Sequence, residues 1–590
     1  MHHVLLLLLL IMAVSPYKST AQTLSSQRAV DWTQAGLRSD SMPIVPIYTA
    51  QQIGLINDGV TPNDSILANF ISSILVPGMG IELANGTYKF EQTIDLPSNS
   101  ILRGKGADST LLLFDLGGNG NGIEIAGSRG TDSSVLLLPA VRGSRLLTFW
   151  DSTAVQAGDW IQLQQDDQDL ITSSWSALQT GQIVKIDSVK GRQVWLNSPL
   201  RMDYDTTRLA AARVLHPQKN SGIECLKIKR LDDTAPQKSN NILFRYAVNC
   251  WIKGVESENC TFAHVRADFS SNIYIAQSYF HHAFSYGGNG RAYGVVFEYA
   301  TGECLAENNI FEHLRHSVLL QAGANGNVIA YNYSFDPFWS SNPSNSAGDM
   351  VLHGNYVYAN LFEQNICQNI VIDNSHGGNG PHNTFFRNRA QLFGIFFSDA
   401  TSPNQNFIAN EVTNTGFPYS LVNYRILGTG HFLHGNNNKG TLTPAGTGAV
   451  PELSYAYTQR PNFVPPSQWG QMGTPALPSA HTIPAYDRWQ NGTPFQGTCT
   501  NNPFTAIVTN KKKNPWMIYP NPARQQLWVE GEELMRRLVV YNALGQLIYQ
   551  TNVNEHSTNI PVNNWQEGWY LLTIETEAGE LSQQKIIVQR

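Results

Sequence analysis

The sequence predicts an all-β protein, a right-handed parallel β-helix, from three observations. Short segments rich in β-branched and aromatic residues recur along the chain. Their spacing is about two dozen residues: 25 separate Cys225 from Cys250, 24 separate both Ala306 from Ala330 and Asn308 from Asn332, and 22 separate Asn388 from Asn410. Asn and Gly join the segments, and only 14% of residues are charged. A repeat of this length built from such short pieces suits a solenoid of flat coils and excludes helical repeats.

The elements follow in chain order. Val4 to Val14 is almost wholly apolar and leads to Ser15, Pro16 and Ser19-Thr20-Ala21. That is too short to span a bilayer and ends in small residues, so 1–21 is expected to be a cleaved signal peptide. His2 and His3 stand where Lys or Arg is usual. No later segment is long and apolar enough to cross a membrane as a helix. The net charge of -6 over 590 residues provides no basic stripe, which argues against a nucleic-acid partner.

The β-helix is expected over 22–440. Ile66, Leu67, Phe70, Ile71, Ile74 and Leu75 recur at helical spacing, with Asp64 or Ser65 as N-cap. A short helix there would cover the first coil and its exposed strand edges. Residues 80–84, 86–90, 100–103 and 110–114 then read as strands. At about 150–205, Gln156–Leu163 and Gly181–Leu196 alternate like hairpin strands, with Lys190-Gly191 as a turn. A small β insertion is expected there. Trp160, Trp175 and Trp195 either stack on sugar rings or form its core, and core is the expectation. Coils return from Gly222 to about Asn438. Their Asn residues suit left-handed turns, and each amide can bond its copy in the next coil. Residues 441–513, rich in Pro, Thr, Gly and Asn, read as an extended tail and linker.

Residues 514–590 carry Tyr519-Pro520-Asn521-Pro522-Ala523 near their start, continue through Leu538–Tyr549 and Gly568–Ile574, and end Lys585–Arg590. Alternating residues and tight turns predict a small β-sandwich. This segment resembles the type A C-terminal sorting domain of the type IX secretion system. The resemblance implies a Gram-negative host, export to the cell surface or medium by the type IX machinery, and removal of the domain. Asp58-Gly59-Val60-Thr61, the following helix and Leu102–Thr110 resemble the start of the pectate-lyase-like superfamily. So does the Tyr…Pro-x-Phe segment ending at Phe463.

Cys225, Cys250, Cys260, Cys304, Cys367 and Cys499 lack the spacing of a zinc site and read as buried rung residues or a disulfide. The resemblance implies a groove on the outer wall in which polysaccharide is cleaved. β-Elimination there needs a cation beside the uronate carboxylate, a base and an acid. Hydrolysis needs two carboxylates. The densest polar stretch runs from His281 to Asp399. Within it His313, His316, His376 and His382 are the expected acid–base groups, since imidazole titrates near neutrality. Arg291, Arg315, Arg387, Arg389 and Tyr286 are the expected substrate readers. Arg387 and Arg389, two apart, would share a strand face and clamp a carboxylate. Glu298, Glu303, Asp349, Asp373 and Asp399 are the candidates for hydrolysis. No compact Asp pair stands out, so hydrolysis ranks second. No metal site is expected, beyond a weak calcium pair from Asp349 and Asp373. The loops Tyr286–Gly290 and His376–Gly380 are glycine-rich but sit in no βαβ unit, which excludes a phosphate loop.

The expected function is a secreted carbohydrate-active protein, a polysaccharide lyase on uronate-containing chains. The alternatives are a glycoside hydrolase on the same fold and a non-catalytic glycan-binding or adhesive surface protein. Acid–base chemistry requires the named side chains to converge within about 6 Å.

Overall fold

The structure is a computed structural model. It describes residues 23–38, 47–73, 75, 79–232, 238–422, 424–448, 450–473, 480–495, 516–521, 523–542, 546–577 and 581–589. The expected signal peptide, Cys499 and the Lys511–Lys513 linker lie outside these residues. Two compact units divide the chain, 1–501 and 502–590.

The first unit is a parallel β-helix with three ladders of stacked strands. Face A holds 12 strands, from Ile47–Thr49 to Phe432–His434. Face B runs from Asp58–Pro62 through Lys227–Arg230 and Ile310–Glu312 to Asn436–Asn438. Face C runs from Ile94–Asp95 through Asn240–Arg245, Ala263–Asp268, Tyr293–Glu298, His316–Leu320 and Met350–Leu352 to Ile366–Ile372 and Arg389–Phe397. Parallel crossovers of this kind wind to the right.

Inward side chains stack in register. On face A, Ile252, Ile275, Ala306, Ile329, Phe362, Phe385 and Phe407 are consecutive partners, all buried. The last three rings stack 4.9 Å apart at each step. Asn ladders hold the corners. Asn309, Asn332, Asn365, Asn388, Asn410 and Asn436 form one run, each Nδ2 donating to the next Oδ1 at 2.8–3.0 Å. The same amide donates to a carbonyl one coil back, as Asn388 does to Phe362. Asn327, Asn360 and Asn383 form a second run. The buried amides of these two runs thereby gain partners in neighbouring coils.

The ladders correct the repeat alignment. Asn309, not Asn308, is the partner of Asn332, so that coil is 23 residues long. Asn308 instead takes the left-handed turn position just before the ladder (φ 56°). Two adjacent asparagines with different jobs are indistinguishable in sequence. Nor are Cys225 and Cys250 equivalent, because Gly222 pairs with Trp251. Cys225 is disulfide-bonded, while Cys250, Cys260, Cys304 and Cys367 are buried free thiols.

The capping helix spans Asp64–Ser73 and buries Leu67 and Phe70. Asp64 accepts hydrogen bonds from the amides of Glu91 and Gln92 on the neighbouring coil. The inserted antiparallel sheet spans Ser128–His216, wider than 150–205. Its outer strand Ser128–Val135 is polar and mostly exposed, which hid it from hydrophobic alternation. Leu147, Phe149, Ile161, Val184 and Tyr204 fill the core of this sheet.

Leu24, Trp32 and the tail residues Tyr455, Tyr457 and Trp469 pack on the outer side of face A, and Tyr486 and Trp489 pack on Tyr333, Phe335 and Tyr279 of face B. Pro484–Gln490 of that tail is a helix rather than extended chain. On face A beneath the Ser454–Tyr455 stretch of the tail, Glu363 accepts from Ser454 Oγ at 2.6 Å and Tyr455 N at 3.0 Å. Burial pushes its pKa up to about 7. An unfolded glutamate ionises near pH 4.3. Between those values the folded state holds the extra proton, so stability falls as pH rises through that window. Glu363→Gln removes this slope. Its melting temperature should match wild type at pH 4.5 and exceed it at pH 8, where the ionisation cost is about 3 kcal/mol.

The second unit is an antiparallel sheet of five strands, Trp516–Tyr519, Gln526–Asn542, Leu547–Pro561, Gly568–Thr576 and Leu581–Val588. They enclose Leu527, Val529, Leu538, Val540, Trp565, Leu572 and Ile574. The Leu544-Gly545 turn lies outside the described residues. Among the described residues, no helix is long and apolar enough to cross a membrane.

Candidate functional site

Polar residues line up along the end of face C. Phe244, Ala267, Phe297, Leu320, Leu352 and Ile372 point into the core, so the next residue in each strand points out. Those residues are Arg245, Asp268, Glu298, Gln321, His353 and Asp373. Strand partnership stacks the first three, and side-chain contacts continue the row. Gln321 donates to Glu298, and His353 Nδ1 lies 2.7 Å from Asp373 Oδ2. Arg266 bridges Asp268, at 2.8 Å, and Glu298. Left-handed turn residues follow the row. Tyr246, Phe269 and Tyr299 stack at 4.8 and 5.0 Å.

A loop of the inserted sheet overhangs this edge. Asp167 holds it by accepting from Leu178 N and Thr180 N. Asn355 Oδ1 ties it to the solenoid through Thr172 N and Ser173 N at 3.1 and 3.3 Å. Gly377 permits that approach: it has φ 79°, and a Cβ would lie 2.5 Å from Thr172 Cγ2. The loop sets Ser173 Oγ 3.3 Å from His376 Nδ1. It also sets the Trp175 ring 5.3 Å from His376 and 5.9 Å from Tyr299, both edge-on. Trp175 stays 43% exposed and so lies outside the core expected for it, whereas Trp160 is buried against Tyr246 and Phe269.

Three imidazoles converge below Trp175. His353 lies 5.8 Å from His316 and 5.0 Å from His376, ring to ring. Burial pushes His316 down to about 3, with Arg315 and His353 adding to the effect. It is therefore neutral, and its Nδ1 donates to Gly348 O at 2.8 Å. His376 is also lowered, by burial first and His353 second. Burial works against ionised Asp373, yet the His353 hydrogen bond and charge hold it well below the usual range. The Asp373 contact on Nδ1 fixes the orientation of the His353 ring, as a carboxylate does for a catalytic imidazole. Burial raises Tyr299 to about 12, so it keeps its proton at neutral pH. Lys238 is exposed nearby, its Nζ 5.2 Å from the Phe262 ring.

The structure brings together His316, His376 and Arg315 of the residues expected from sequence. Arg315 lies over the Tyr293 and Trp339 rings, with Nη1 donating to Gly287 O at 3.1 Å. Arg291 is half-buried in the loop before Tyr293. His313 and Tyr286 join a separate cluster with His282 and Phe338, and His313 Nδ1 contacts Asp336 at 2.7 Å. His382 lies apart, lowered to about 4 by burial, then by Arg142 and Arg28.

The Arg387–Arg389 clamp does not form. Arg387 takes the left-handed turn (φ 54°), so the two side chains diverge. Arg387 lies under the tail, donating to the carbonyls of Val450, Glu452 and Met472. Arg389 pairs with buried Glu411 at 2.8 Å.

The carboxylates proposed for hydrolysis are engaged elsewhere. Glu303 pairs with Arg38 and Arg201. Asp349 is fully buried and accepts from Ser334 and the amides of Gln368 and Asn369. With Asp373 on His353, the Asp349–Asp373 calcium pair has no geometric support. Among the described residues, Glu256, Glu258 and His281 come close enough to hold a metal. Lys227 contacts both glutamates, at 2.7 and 2.6 Å, and balances their charge.

Fold and site together define a parallel β-helix protein with a histidine-rich polar row along face C. Residues 517–589 match the family model described as "Secretion system C-terminal sorting domain", so the chain carries the type IX sorting domain that its ending suggested. No curated protein matches the chain. Among solved structures, the tailspike protein gp49 of Pseudomonas phage LKA1 is similar at 15% identity and TM-score 0.48. That match covers 62% of this chain and 64% of that one, just under two thirds of its length. The tailspike gp61 of Pseudomonas phage phi297 is similar at 14% identity and TM-score 0.46, covering 67% and 74%. The mannuronan C-5 epimerase AlgE6 A-module of Azotobacter vinelandii is similar at 12% and 0.32, covering 66% and 93%. At such identities the likeness is one of fold and says nothing of ligand.

Proposed function

We propose that the protein, exported after removal of residues 1–21, binds a uronate-containing polysaccharide along the polar row of face C and cleaves it by β-elimination. The observation that carries this reading is the row of three imidazoles with Asp373 seated on His353. His353 Nε2 takes the C5 proton. The C4–O bond breaks, a C4=C5 double bond forms, and Tyr299 protonates the departing oxygen. Lys238 neutralises the carboxylate whose electron demand acidifies C5. Trp175 offers a partly open aromatic face to a sugar ring. Hydrolysis has less support, because Asp268 and Glu298 are both committed to Arg266.

The test is purified protein on a panel of uronate and neutral polysaccharides. Ultraviolet absorbance of a conjugated unsaturated product is expected with uronates alone. New reducing ends without that absorbance would replace elimination by hydrolysis. Binding with neither product would leave a glycan-binding protein.

A further inference from the structure

The inserted sheet does more than support Trp175. Trp160, Ile183 and Leu215 on one of its faces pack on Tyr246, Phe269 and Val248 of the solenoid. Arg213 and Leu215 pair with Gln162 and Trp160 in unbroken register, so the two share a face although the opposite pairing with Ser128–Val135 is irregular between them. Arg129 is the direct cross-strand partner of Leu215 and shares that face too. Both arginines thus face the seam at Tyr246, next to Arg245 at the start of the polar row. Arg213 Nε is buried and has no hydrogen-bond partner. Arg129 is exposed. Burial raises the Tyr246 phenol, and Arg129, Arg245 and Arg213 each pull against that rise.

The charge at this end is unbalanced. Arg129, Arg213, Arg245 and Arg266 face Asp268 and Glu298. Arg245 contacts Asp268 at 3.0 Å but keeps its side chain 44% exposed. An unpaired buried guanidinium nitrogen beside two open guanidinium groups is costly unless an anion completes it.

We infer that Arg129, Arg213 and Arg245 form an anion-reading subsite across the seam, which takes a carboxylate of the polysaccharide remote from the reacting sugar. The inference rests on the elimination reading for the identity of the chain. From Arg245 the row steps through Asp268, Glu298 and Gln321 to His353, four coils, or roughly 19 Å at the ~4.8 Å strand spacing. Several consecutive sugars span that length, so a short oligosaccharide occupying the histidine end does not reach the arginines. The subsite thereby selects long acidic chains over short or neutral ones.

The test uses the full chain and the Arg129→Ala/Arg213→Ala variant, leaving Arg245 in place because it supports Asp268. Binding of a long oligogalacturonate, measured by calorimetry, should weaken at least ~10-fold in the variant, with a shallower dependence on salt. KM for the long chain should rise with kcat unchanged. A galacturonate trisaccharide should bind both proteins equally, which also shows that the variant is folded. Equal affinity of both proteins for the long chain would overturn the subsite while leaving elimination intact. Equal loss on long and short chains would overturn it as well. Binding of dextran sulfate in place of oligogalacturonate would overturn the carboxylate assignment. Variant-sensitive binding without any unsaturated product would retain the subsite and remove the elimination reading.

Discussion

His353→Ala is expected to lower kcat on a uronate polysaccharide by about 10²–10⁴-fold with little change in KM, the usual range for loss of a positioned base. Of the three imidazoles, His353 has its Nδ1 on a carboxylate, whereas His316 and His376 meet a carbonyl and a hydroxyl, and that contact orients its ring. Asp373→Asn keeps the size of the side chain but removes the charge of that contact. It should cost less than His353→Ala and move in the same direction. His382→Ala supplies the control. His382 lies apart from the polar row, so its removal should leave kcat within about twofold, the scatter of surface changes. A His353→Ala protein that turns over at the wild-type rate, with an unchanged melting curve, would end the proposed role.

Phe385→Ala should destabilise the solenoid by about 3–5 kcal/mol. The ring is stacked between Phe362 and Phe407 and is 1% exposed, so its removal opens a cavity inside a continuous aromatic column. In a solenoid each coil leans chiefly on its neighbours, and a weak rung uncouples the coils beyond it. The coils after Phe385, ending at Phe432–His434, should therefore open first. Hydrogen exchange would show lost protection at Asn406–Ile408 and Phe432–His434 while Ile252 and Ile275 stay protected. A uniform loss along the whole axis would contradict nearest-neighbour coupling. Phe385→Leu, which refills most of the volume, should recover more than half of the loss.

The residues differ in how much they disclosed before any coordinates. The coil was legible because its signals are local. β-Branched runs, turn glycines and repeated asparagines carry their structural preferences with them. The sorting domain was legible for the same reason, its strands and turns lying within one short stretch. The site was only partly legible. His316, His376 and Arg315 were named because polar residues crowd their region. His353 lay in the same stretch but was not singled out, and Trp175 was assigned to a core. A usable signal existed: each member of the polar row directly follows an inward apolar residue at the end of a face C strand. Reading it required the correct coil lengths, and an error of one residue at Asn308 and Asn309 shifts every position after it to the opposite face.

The composition and spacing of this chain were enough to determine a stacked β-coil with asparagine corners, a helix over its first turn and an export domain at its end. These depend on preferences each short segment carries alone. Tertiary structure alone decided that Arg387 serves the tail, that Arg389 meets Glu411, and that a loop from the inserted sheet brings Trp175 to His376. Such placements depend on contacts between residues scores or hundreds of positions apart. They are set by coil length and by one left-handed residue at a corner, and neither is written in the identity of the side chain that is moved.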